Sequence, residues 1–139
     1  MHVEYYVFEK SNQQQAYLGL CQLIEKWYQE QLKIAILCSS TQDMQLLDQL
    51  LWTFNDQSFI PHAALAEQEP IAPVCLCLDS TTLPEVDVII NLSNIALTSS
   101  KPARILVEIV FAEQSMQQLA RERYKQYREL GYQLKTIRR

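Results

Sequence analysis

Seven basic side chains fall within residues 113–139, namely Arg121, Arg123, Lys125, Arg128, Lys135, Arg138 and Arg139, against three acids, Glu113, Glu122 and Glu129. The whole chain carries a formal charge of −4, so this basic end stands on an acidic body. Such an asymmetry points to a local anionic partner rather than a general polyanion. No Gly or Pro interrupts 113–130, and Gly131 supplies a helix stop. At about 100° per residue, Gln117, Arg121, Tyr124, Lys125 and Arg128 share one face of that helix. Met116, Leu119, Ala120, Tyr127 and Leu130 share the other, which should pack on the body. Guanidinium groups grip carboxylates in a bidentate fork, and a neighbouring aromatic ring supports an apolar side chain. The polar face therefore either holds an acidic peptide or is a solvated helix surface; the pattern allows both. Arg123 lies near the apolar side and calls for an internal partner such as a buried acid.

Other chemistry is missing. The first strand-to-helix turn reads EKSNQQQ, and the whole chain has two glycines, Gly19 and Gly131. Neither a dinucleotide fingerprint nor a P-loop can be assembled from these, and no cofactor is expected. His62 follows Pro61 without a patterned Ser, Cys or Asp partner, and Ser58 stands outside any G-x-S-x-G elbow. The acids Glu67, Glu69, Asp79, Glu85 and Asp87 fall in connections, where capping or solvated roles are the default. Cys21, Cys38, Cys75 and Cys77 sit in apolar surroundings and read as reduced, buried thiols of a cytoplasmic protein. With His2 and His62 as the only histidines, a zinc site is not expected. Overall acidity argues against phosphate-driven DNA binding, although the interleaved Arg, Lys and Tyr of the last helix keep a direct single-stranded nucleic-acid binder as the alternative. No apolar run approaches the roughly 20 residues of a membrane span.

The elements that must position the basic face follow from periodicity. Strands are expected at His2–Phe8, Lys33–Cys38, Val74–Leu78, Val86–Leu92, Arg104–Phe111 and Tyr132–Ile137. Ser11 with Gln14 makes a capping box for a helix reaching about Gln31, its apolar stripe Ala16, Leu20, Leu23, Ile24 and Trp27. Ser40 or Thr41 caps a second helix to about Thr53, with Met44, Leu47, Leu50 and Leu51 inward. Residues 55–73 read as an extended connection. Alternating strands and helices predict a single α/β domain over 1–139, a three-layer α/β/α arrangement with a mostly parallel, Rossmann-like sheet. Trp52 and Phe59 either fold back into the core or stand as aromatic anchors at an interface.

Two stretches carry a family resemblance. The run QLARERYKQYRELGYQLKT at 118–136 resembles the C-terminal signature of the chi subunit of bacterial DNA polymerase III, and LWTFNDQSFIPH at 51–62 is similar to that family's L-W-x(6)-F-x-P-H region. The resemblance implies a non-catalytic adaptor in DNA replication. Such an adaptor links the clamp loader, through the psi subunit, to the acidic, Pro-Phe-ended C-terminal tail of single-stranded DNA-binding protein. It implicates Arg121, Tyr124, Lys125, Arg128, Trp52 and Gln117 in binding that tail. Phe59 and Val110 are implicated in binding psi, or a repair helicase on the same surface. Family members can carry a basic residue where this chain has Gln117, which implies a smaller electrostatic contribution here.

Overall fold

The computed structural model describes residues 2–8, 12–54, 60–64, 73–79, 83–93, 96–97, 103–111 and 114–138. Their elements run β1 (His2–Val7), α1 (Gln13–Gln29), β2 (Ile34–Leu37), α2 (Thr41–Thr53), β3 (His62–Ala64), β4 (Val74–Cys77), β5 (Val88–Asn91), β6 (Ile105–Val110), α3 (Gln114–Glu129) and β7 (Gln133–Arg138). The strands form one sheet in the order β3-β4-β2-β5-β6-β1-β7. Every pairing is parallel, so the expected mostly parallel sheet is wholly parallel among the described residues.

Local sequence explains the interior of this sheet. The runs IAIL, VCLC and VIIN of β2, β4 and β5 are buried throughout, the pattern of parallel strands covered on both faces. One face packs α1 and α2 onto Tyr6, Phe8, Ile34, Ile36, Leu76 and Ile90. The other carries Ala120 and Tyr127 of α3 against Val3, Tyr5 and Leu106, with Leu83 and Leu97 from connecting segments covering the remainder. The four cysteines are buried and unbridged. Cys75 and Cys77 share a face, their sulfurs 3.8 Å apart. Burial pushes the Cys21 and Cys38 thiols up to about 12, leaving them protonated and inert.

Three expectations need correction. The α1 cap is Asn12, whose side chain accepts from Gln15 N at 2.8 Å while Gln15 Oε1 accepts from Asn12 N at 3.3 Å. The box thus lies one residue later than Ser11 and Gln14. Within the connection expected over 55–73, residues His62–Ala64 pair with β4, making an edge strand too short to leave a periodicity. Leu130 is 49% exposed rather than packed, since it follows the last residue of α3 in the turn to β7.

The topology also creates a crevice. From β1 the chain leaves toward β2 on one side; from β6 it leaves through α3 across β1 to β7. The connections that leave the carboxyl ends of the neighbouring strands β6 and β1 therefore run on opposite faces of the sheet, α3 on one and α1 on the other. This is the switch-point arrangement at which open α/β sheets bind their ligands.

Candidate functional site

At that switch point lies a hollow of about 440 Å³ between α3 and the ends of three strands. Tyr5 and Val7 of β1 and Val110 of β6 supply its strand floor. Gln117, Ala120, Arg121, Tyr124, Lys125 and Arg128 of α3 form one wall. Thr136 and Arg138 of β7 form the opposite one. Four of these residues are cationic and none is acidic. The Tyr5 and Tyr124 rings meet with centroids 5.3 Å apart, an aromatic patch under the charges. Such a surface can take a ligand with an apolar or aromatic tip and carboxylates around it. It offers no nucleophile paired with a base, and no group of three or more potential metal ligands occurs among the described residues.

α3 presents this face because its other side is anchored underneath. Arg123 and Glu108 are both buried, and Arg123 Nε donates to Glu108 Oε1 at 2.6 Å. Asn91 Nδ2 donates to Glu108 Oε2 at 2.7 Å, and the Tyr127 hydroxyl donates to the same oxygen at 3.3 Å. That hydroxyl in turn accepts from Leu97 N at 3.0 Å. Burial lifts the Glu108 carboxyl to about 7 while Arg123 pulls it back down. Burial, with Glu108 next in importance, also drives the Tyr5 hydroxyl far above the ordinary tyrosine range. The acid called for by Arg123 is thus Glu108, hidden in an otherwise apolar strand.

The structure gathers most of the expected site residues but not all. Gln117, Arg121, Tyr124, Lys125 and Arg128 line one wall, as their helical spacing requires. Trp52 does not join them. It stands on α2, which packs on the opposite face of the sheet from α3, and its ring lies 4.3 Å from the His62 ring. His62 is held by Ile60 O at 2.7 Å from Nδ1 and by Asp48 Oδ1 at 3.1 Å from Nε2, so it ties β3 to α2. At 46% exposure Trp52 is nevertheless a surface aromatic, not a core residue. Val110, expected on a separate partner surface, is only 8% exposed and sits in the hollow, because it ends β6 directly under α3. Phe59 lies outside the described residues. Tyr5, Val7, Thr136 and Arg138 were not anticipated; strand order, which places β7 beside β1, is what brings them in.

Comparison with known proteins agrees with this architecture. Residues 1–135 match the family model described as DNA polymerase III chi subunit, HolC. The DNA polymerase III subunit chi of Pseudomonas aeruginosa is 32% identical over 136 residues, covering 98% of this chain and 95% of that protein. Its Escherichia coli counterpart is 31% identical over 120 residues, covering 84% and 81%, respectively. That of Haemophilus influenzae is 29% identical over 118 residues, covering 84% and 82%. Among solved structures, T4 UvsW superposes over 99% of this chain and 41% of its own with a TM-score of 0.65 at 6% identity, a likeness of fold alone. The chain belongs to the DNA polymerase III chi subunit family and is a non-catalytic accessory subunit with a role in DNA replication.

Proposed function

We propose that the hollow receives the acidic, aromatic-tipped C-terminal tail of single-stranded DNA-binding protein, so that the subunit ties the replicative polymerase to protein-coated single strands. The observation that carries this reading is a hollow whose charged lining is wholly cationic and whose floor is aromatic and apolar. The terminal carboxylate and nearby aspartates of the tail meet Arg121 and Lys125, with Arg128 as further support. The tail's ring enters beside Tyr124 and Tyr5. Gln117, one turn before Arg121, contributes a neutral contact.

As a polymerase subunit the protein works in a complex with other subunits. We assign the exposed Trp52 of α2, together with Phe59 on the strength of the family resemblance, to contact with the psi subunit or with a helicase that replaces it. Trp52 joins this assignment because it stands apart from the cationic hollow and exposes an aromatic ring, the type of side chain favoured as an interface anchor. α2, which carries Trp52, and α3, which lines the hollow, pack on opposite faces of the sheet, an arrangement that would suit a bridge between two partners.

The test is a calorimetric titration of the full chain with a synthetic tail peptide. Loss of one charge-assisted bond costs about 1.5–3 kcal/mol, a decade or more in affinity. Arg121→Ala should therefore weaken binding about tenfold or more while its thermal midpoint stays put, since Arg121 is exposed. An unchanged affinity would dismiss the assignment. Tighter binding of a labelled single-stranded oligonucleotide than of the peptide would favour the nucleic-acid alternative.

A further inference from the structure

The wall opposite α3 is built from the last strand, and it carries its own cation. Arg138 pairs in register with Val7, and Thr136 with Tyr5, so both stand next to the strand floor of the hollow. β7 is the outermost strand of the sheet, and Arg138 is exposed at its end. Facing it, the first α3 position in the hollow is the uncharged Gln117, and the α3 cations begin one turn later at Arg121. Positive charge therefore comes from two elements that approach a ligand from two sides. In an extended peptide, successive side chains point to opposite sides at a spacing of about 3.3 Å. Acidic residues preceding an apolar tip would thus be presented alternately to α3 and to β7.

We propose that β7 is a second recognition wall, with Arg138 the side chain that pairs with acidic residues upstream of the peptide's tip. This assignment rests on the acidic-peptide reading of the hollow and adds to it a contact made by a different element. It divides the labour. Arg121 and Lys125 hold the tip's carboxylate and the acids that face α3, whereas Arg138 reads the acids that face β7. The site is then selective for a run of acids and not merely for a carboxyl terminus.

A crossed titration tests this. The wild-type full chain, Arg121→Ala and Arg138→Ala are each titrated with an acidic peptide bearing an aromatic tip, and with the same peptide in which the upstream aspartates are replaced by asparagine. Arg138→Ala should lower affinity for the acidic peptide about tenfold or more, the worth of one charge-assisted contact, and leave affinity for the asparagine peptide as in the wild type. Arg121→Ala should weaken both. Arg138→Glu should reverse the preference, binding a peptide with lysines upstream better than the wild type does. Equal losses on the two peptides would reduce Arg138 to a structural role and overturn the proposal. So would an Arg138→Ala protein that matches wild type on the acidic peptide while Arg121→Ala does not. Failure of the wild type to bind either peptide would instead remove the tail reading itself, and this inference with it.

Discussion

Glu108 shows how a single residue can be invisible in a pattern and decisive in the structure. Its strand reads as a near-continuous apolar run, and the only hint was Arg123, a guanidinium on the wrong side of its helix. The two meet at 2.6 Å with neither exposed beyond 5%. Arg123 and Tyr127 from α3 and Asn91 from β5 act on the carboxyl, and its charge in turn acts on the Tyr5 hydroxyl of β1. Because burial holds Glu108 at about 7, above its ordinary value of 4.5, the folded protein binds this proton more readily than the unfolded chain. Its contribution to stability is complete below the ordinary glutamate range and is lost as pH rises through about 7. Relative to Glu108→Gln, the wild type should therefore lose on the order of 3 kcal/mol of unfolding free energy between about pH 5 and about pH 8. Urea melts of both proteins at several pH values measure this difference. Parallel pH curves for the two would show that the Glu108 carboxyl does not titrate in this way.

At the scale of elements, α3 and β7 must be joined at the right angle for their two walls to face one another. Gly131 makes that joint, at φ 80, where L side chains are strained, and an added Cβ would meet nothing within 4 Å. Gly131→Ala should cost about 1–2 kcal/mol through backbone strain alone. A chemical melt should show a lower midpoint with an unchanged slope, while tail-peptide affinity at low temperature stays near wild type. A loss of affinity without loss of stability would mean that the turn sets the wall spacing in a way backbone strain does not explain. This glycine stop was legible in the sequence, as were both faces of α3 and the buried stripes of α1 and α2, because helical periodicity sums over many residues. β3 was not legible, since three residues on a sheet edge next to a proline carry no period. Nor was the second wall. Sequence spacing tells which residues share a helix face, but not which strand a parallel sheet sets beside β1 after a crossover.

The whole molecule adds a field to these contacts. Its formal charge is −4, although the hollow's own charged lining is all cationic, so an acidic ligand meets local attraction against a repelling body. Both terms are Coulombic, but they differ in range. Exposed charges farther apart than the Debye length, about 8 Å at physiological ionic strength, are largely screened, whereas direct pairs in the hollow are weakened less. Raising salt from very low levels should first relieve repulsion by the distant acidic body and only then erode the direct pairs. Peptide affinity is therefore expected to change little up to about 0.1 M salt and to fall beyond it. A peptide with asparagines in place of its aspartates, lacking most of both terms, should show a flatter profile. Titrations across a salt series with the two peptides measure this directly. If the acidic peptide instead lost affinity as steeply at the lowest salt as at the highest, the acidic body would exert no long-range effect, and the hollow would behave as an isolated cationic patch.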